Sequence, residues 1–232
     1  MTIVAGDGSG DRRPVRGVRR VGRRALLVDV PDAASAMRLA QWLRDRLRVQ
    51  ELAFTDVVPA ARTVLVDGVD VEVVEALVRA WEGPTGAGTA TGTGAPAGAP
   101  AGAAGERLVE VPVRYDGPDL AGVAERWGVD VDEVVRRHTS LEFVSVFCGF
   151  APGFAYLDGL PAEWSVPRLD TPRTRVPPGA VGLADRWCAV YPTASPGGWL
   201  LLGTTSTKVW DLGHHEGPAL LTPGTRVRFR AV

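Results

Sequence analysis

The side chains whose types and spacing suggest chemistry are His138, Tyr156, Arg168, Arg173, Ser195 and Lys208. All but Lys208 fall between His138 and Gly203, a stretch dense in glycine, proline and aromatic residues. It contains G-F-A-P-G-F-A-Y-L-D-G-L (Gly149 to Leu160), P-R-L-D-T-P-R-T-R-V-P-P-G (Pro167 to Gly179) and Y-P-T-A-S-P-G-G-W (Tyr191 to Trp199). Proline fixes φ and glycine permits close backbone approach, so rigid, shaped loops between short strands follow. Ligands and partners usually sit on such loops. An imidazole carries protons, a guanidinium clamps anions and a phenol donates a hydrogen bond. Ser195 and the backbone of Gly197 and Gly198 add donors, although paired glycines also make plain tight turns. Lys208, the single lysine, sits in G-T-T-S-T-K-V-W; it either places an ammonium beside a loop or reflects a genome that prefers arginine.

The element that positions His138 is a helix. Asp130 is a fitting N-cap, Glu133 stands at N3, and Val131, Val134, Val135 and His138 share one face. Two readings stay open. His138 is a partly buried histidine at a helix C-terminus, where the dipole favours it, or an imidazole delivered to the mouth of the β-rich segment that begins at Leu141. Cys148 and Cys188 are the only cysteines, in no C-x-x-C pair and with apolar neighbours. They read as buried thiols in a reducing compartment, with a thiol nucleophile near His138 as the alternative. Three histidines without ligand spacing, two of them the adjacent His214 and His215, do not suggest a metal site.

The chain has 232 residues and a formal net charge of −1, which offers no basic excess for nucleic acid. No apolar run approaches the roughly 20 residues of a membrane span, and no secretory signal opens the sequence, so a cytoplasmic location is expected. Residues 1–17 read as a disordered, locally basic leader. Residues 18–83 follow β-α-β-β-α: strands at Arg24–Val30, Leu52–Val58 and Arg62–Val66, and helices capped by Asp32 and Asp70. That order suggests a small ferredoxin-like α+β domain. Residues 84–105 are nearly all Gly, Ala, Thr and Pro, a flexible linker. In residues 106–232, a strand at Leu108–Val113 and helices after Asp119 and Asp130 precede short, turn-separated strands, the signature of an all-β barrel or sandwich. Expected strands include Leu141–Phe147, Ala180–Leu183, Trp187–Tyr191, Trp199–Gly203, Val209–Leu212 and Arg226–Arg230.

Five motifs in this order carry a resemblance: V-P-V-R-Y-D-G-P-D-L (Val111 to Leu120), the three loop motifs above and L-L-T-P-G-T-R-V-R-F (Leu220 to Phe229). The chain resembles the family of the B-type subunits of bacterial 5-oxoprolinase, which includes allophanate hydrolase subunit 1-like proteins and the Kip inhibitor of a sporulation histidine kinase. The resemblance implies an α+β N-terminal domain and a cyclophilin-like β-barrel. It implies a B-type subunit of an ATP-dependent 5-oxoprolinase, hydrolysing 5-oxoproline to glutamate, with ATP engaged through the complex. The implied partners are a carboxyltransferase-like sister subunit of the C type and a LamB/YcsF-type subunit of the A type. The alternatives are a Kip-like inhibitor of a sensor histidine kinase and a urea- or allophanate-type carboxyltransferase module.

The resemblance also places His138, Tyr156, Arg168 and Arg173 in the family signature. His138, Arg173 and Tyr156 are the expected catalytic residues, and Arg168, Ser195, Gly197, Gly198 and Lys208 the expected substrate- or nucleotide-binding ones. The chain departs from the family pattern in three places. Ala180 replaces a serine, Asp185 a glycine, and Thr204 an arginine whose charge threonine cannot supply.

Overall fold

The computed structural model describes residues 14–83 and 107–232. The expected linker and all but the last residues of the expected leader lie outside them. The chain divides into two compact units, residues 1–88 and 89–232.

In the N-terminal unit, strands β1 (Gly17–Val21), β2 (Ala25–Asp29), β3 (Asp56–Pro59) and β4 (Thr63–Asp67) form an antiparallel sheet in the order β1-β2-β4-β3. Helices α1 (Ala33–Val49) and α2 (Val71–Arg79) start where the capping aspartates predict. Asp32 accepts from the Ser35 amide at 2.7 Å, and Asp70 from Glu72 and Val73 at 3.0 and 3.3 Å. Leu26, Val28, Val57, Val64 and Val66 alternate onto one sheet face and share a core with Leu39, Leu43 and Leu47 of α1 and Val74 and Val78 of α2. With β4 between them, β2 and β3 run in the same direction, a split β-α-β unit. The sheet's fourth strand is β1, which begins where the expected leader ends and was not among the expected strands. Its arginines are strand residues: Arg19 pairs with Asp29 at 3.1 Å and Arg20 with Glu75 of α2 at 3.4 Å.

The C-terminal unit contains β5 (Leu108–Val113), α3 (Leu120–Trp127), α4 (Val131–Ser140), β6 (Glu142–Cys148), β7 (Ala155–Asp158), β8 (Arg173–Val176), β9 (Ala180–Ala184), β10 (Trp187–Val190), β11 (Ser195–Gly197), β12 (Leu200–Thr204) and β13 (Arg226–Ala231). Seven strands form one sheet in the order β12-β9-β10-β7-β6-β13-β5, and β8 and β11 pair separately. Its pairs are antiparallel except β13 with β5. The edge strands then meet. Arg114, just past β5, exchanges both backbone hydrogen bonds with Thr204 of β12, at 2.9 and 2.8 Å. The sheet therefore nearly closes on itself, which fits the expected cyclophilin-like barrel. The all-β description needs amending, because α3 and α4 contribute Val123 and Val134 to the barrel core. The strand expected at Val209–Leu212 reduces to one bridge, Trp210 with Ala219.

Candidate functional site

Strand alternation gives the barrel wall two very different faces. Val181 and Leu183 of β9 and Cys188 and Val190 of β10 point into the barrel core. Ala180, Ala184 and Ala189 point the other way, and so does Gly182 by alternation. These small residues leave room for a second layer, in which Phe154, Tyr191, Trp199, Leu201 and Val176 are buried and Tyr156 and Trp187 partly buried. The rings interlock edge to face: Phe154 lies 5.2 Å from Tyr156, 5.3 Å from Tyr191 and 5.4 Å from Trp199, and Tyr156 stacks on Phe147 at 4.3 Å.

The three glycine-proline loops converge on this layer. From the first, Phe150 holds φ at +70° and is 62% exposed, its ring edge-on to Phe154 and Tyr191. An aromatic residue in the left-handed region costs about 1–2 kcal/mol, and such strain concentrates at functional sites. The second loop brings Arg168, 56% exposed, with its guanidinium 6.0 Å from the Trp199 ring centre and 3.9 Å from Asp185. The third closes against the second through the Leu169 amide, which donates to the Gly198 carbonyl at 2.7 Å. Gly197 is required by space: a Cβ there would collide with the Tyr191 hydroxyl. The buried Ser195 Oγ has no hydrogen-bond partner among the described residues.

Arg173 is held rather than free. It donates to Asp119 Oδ1 at 2.7 Å and to the Trp199 carbonyl at 3.4 Å. The other oxygen of Asp119 accepts the Leu201 amide at 2.7 Å. Asp119 was expected to cap α3, but its side chain makes no capping bond; it ties β8 to β12 instead. Burial raises the Tyr156 and Tyr191 phenols above their ordinary pKa, with Arg168 pulling weakly the other way. Near neutrality both phenols are therefore hydrogen-bond donors, not bases.

His138 is not at this site. It is 0% exposed inside the barrel, with its ring centre 4.6 Å from Phe229 and 5.3 Å from Phe143. Nδ1 lies 2.7 Å from the Tyr115 hydroxyl and Nε2 3.4 Å from the Cys188 sulfur. Burial pushes its pKa down to about 3, so it is neutral near pH 7, and none of its surface meets solvent. The expected catalytic imidazole is a core residue: Val134 and His138, one turn apart, are the buried residues of α4 and pack inward together, while Val131 stays exposed. Cys188 is equally enclosed, and burial pushes its thiol up. The thiol alternative fails for the same reason.

Lys208 is 77% exposed and 3.7 Å from Asp211. It borders a neighbouring cleft of about 210 Å³ shared with Tyr191, Thr205, Ser206 and Thr207. The structure thus gathers Tyr156, Arg168, Arg173, Ser195, Gly197 and Gly198 on one barrel face, puts Lys208 beside it, and removes His138. Sequence reasoning missed Phe150, Asp119 and Trp199. The aromatic spacing of the loops was the available signal for Phe150 and Trp199. Nothing local marked Asp119. Among the described residues no group of three side chains suits a metal ion.

Residues 16–221 match the family model for the carboxyltransferase domain, subdomain C and D. The chain belongs to that family. Within it, 126 residues are 48% identical to the B subunit of 5-oxoprolinase from Escherichia coli O157:H7, covering 53% of this chain and 57% of that protein. The chain therefore spans little more than half the length of this curated relative. The crystal structure of TTHA0988 superposes on 90% of this chain and 40% of its own, with a TM-score of 0.67 and 31% identity. The Kluyveromyces lactis urea amidolyase matches 94% of this chain with 16% of its own, at a TM-score of 0.67 and 17% identity, and so shares the fold. The face is thus aromatic, edged by the Arg168 guanidinium and by phenols that stay neutral near pH 7.

Proposed function

We propose that this chain is the B-type subunit of an ATP-dependent 5-oxoprolinase and acts in the cytoplasm with partner subunits. The observation that carries the reading is the 48% identity to the B subunit of a 5-oxoprolinase. A five-membered lactam is a weak acyl electrophile. Moving the γ-phosphoryl group of ATP to its amide oxygen creates a leaving group. Water then attacks the ring carbon, the C–N bond breaks and the nitrogen takes up a proton, which leaves an acyl phosphate of glutamate; a second water hydrolyses it, so that glutamate, phosphate and ADP are released. Such steps need fixed cations and donors for the developing oxyanion.

On this chain Arg168 is the accessible anion clamp, and Arg173 is a positioning residue aimed by Asp119. Tyr156 and Ser195 are the donors, Gly197 and Gly198 shape the loop around them, and Lys208 extends the cationic edge. With His138 enclosed, the proton carrier comes from elsewhere in an assembly: a carboxyltransferase-like C-type subunit and a LamB/YcsF-type subunit of the A type. Affinity purification of the tagged chain from its host, with mass spectrometry of what accompanies it, tests this. Recovery of both subunits supports the reading. A docking role is the second reading, favoured by the exposed Phe150 ring; recovery of a histidine kinase without either subunit would replace the first with it.

A further inference from the structure

Helix α1 carries a second, unrelated constellation. Arg38, Trp42 and Arg46 recur at four-residue spacing and form one stripe of the helix. With Ala80, Trp81, Glu82 and Gly83, beyond the end of α2, they line an open cleft of about 470 Å³. Trp81 is almost fully buried and forms its floor; Trp42 is half-buried, with the Arg46 guanidinium 5.5 Å from its ring centre. Among the described residues the buried Arg38 Nε–H has no acceptor, and this guanidinium makes only a long bond, 3.3 Å, to the Ser35 hydroxyl. A charged donor removed from water without a partner is costly, and the cleft wall is where that cost is concentrated.

We propose that this cleft binds a small anion, a phosphate or carboxylate carried on a flat ring. Arg38 supplies the fork, because a guanidinium matches two-oxygen acceptors. Arg46 supplies the second positive charge, and Glu82 is the single acidic wall residue, so the lining carries a net positive charge. Trp42 and Trp81 supply flat apolar surface for the ring. The site lies wholly within the N-terminal unit and depends on nothing assigned to the barrel face.

The test uses the full chain labelled with 15N, reading its tryptophan indole N–H signals during separate titrations with AMP, benzoate and inorganic phosphate. The expected result is a saturable shift of Trp42 and Trp81 by AMP or benzoate, with Trp127 and Trp164, which pack against the barrel core, unmoved. AMP alone assigns the anion as phosphate on a ring, and benzoate alone as carboxylate. Arg38→Met weakens binding about tenfold or more, and Arg46→Gln, at an exposed position, weakens it about threefold. The unmoved tryptophans report whether each variant is folded. No shift of Trp42 and Trp81 up to about 10 mM of any probe, where even a millimolar site fills, overturns the proposal. So does a shift that survives both substitutions, or one produced as strongly by inorganic phosphate alone.

Discussion

Placing His138 in the barrel core has a measurable consequence in pH. In the unfolded chain its imidazole titrates near 6.5; burial lowers this to about 3 in the folded protein. Below pH 6.5 the unfolded state therefore takes up a proton that the folded state refuses. Stability is complete above that value and is lost as the pH falls toward 3. At pH 5, 1.5 pH units into this window, the loss is about 2 kcal/mol at 1.36 kcal/mol per unit. His138→Phe keeps an aromatic ring among Phe143 and Phe229 and removes the titration. It also leaves the Tyr115 hydroxyl without its partner, costing about 1–3 kcal/mol at pH 7. Urea unfolding of both proteins at pH 7 and pH 5 reads the difference directly, since other titrating groups are common to both. The wild type starts ahead, loses about 2 kcal/mol more than the variant on acidification, and the two nearly converge at pH 5. Equal losses in both proteins would refute the buried, neutral assignment.

Three further substitutions probe the barrel face. Gly197→Ala forces a methyl group onto the Tyr191 hydroxyl and lowers stability by about 1–3 kcal/mol, seen as a drop in the denaturation midpoint. Asp119→Ala removes the acceptor of both Arg173 and the Leu201 amide, and calorimetry should show a loss of about 2–3 kcal/mol. Phe150→Gly relieves a positive φ, so thermal unfolding shows stability unchanged or raised by about 1 kcal/mol, while activity or partner binding falls.

Local chemistry made much of this legible in the sequence. Asp32, Asp70 and Asp130 cap their helices as their positions predict, because capping involves only residues two or three apart. The glycine-proline motifs mark the converging loops for the same reason. What the sequence hides is long-range. β1 lacks apolar alternation and exists because β2 offers it an edge to pair with. His138 is enclosed by Phe229 and Cys188, residues far along the chain that approach only when the barrel closes. Asp119 has a capping position, yet a guanidinium 54 residues away outcompetes the local amides for its carboxylate.

The most direct test of the account reconstitutes the chain with its proposed C-type and A-type subunits and measures glutamate formation from 5-oxoproline and ATP at pH 7. Arg168→Ala lowers turnover about a hundredfold with the complex intact, as expected for loss of one fixed oxyanion partner. His138→Phe leaves turnover within about threefold of wild type, since the imidazole touches no substrate and the fold survives at this pH. Turnover that persists in Arg168→Ala and vanishes in a folded His138→Phe would contradict the account, returning the chemistry to the histidine and away from the aromatic face.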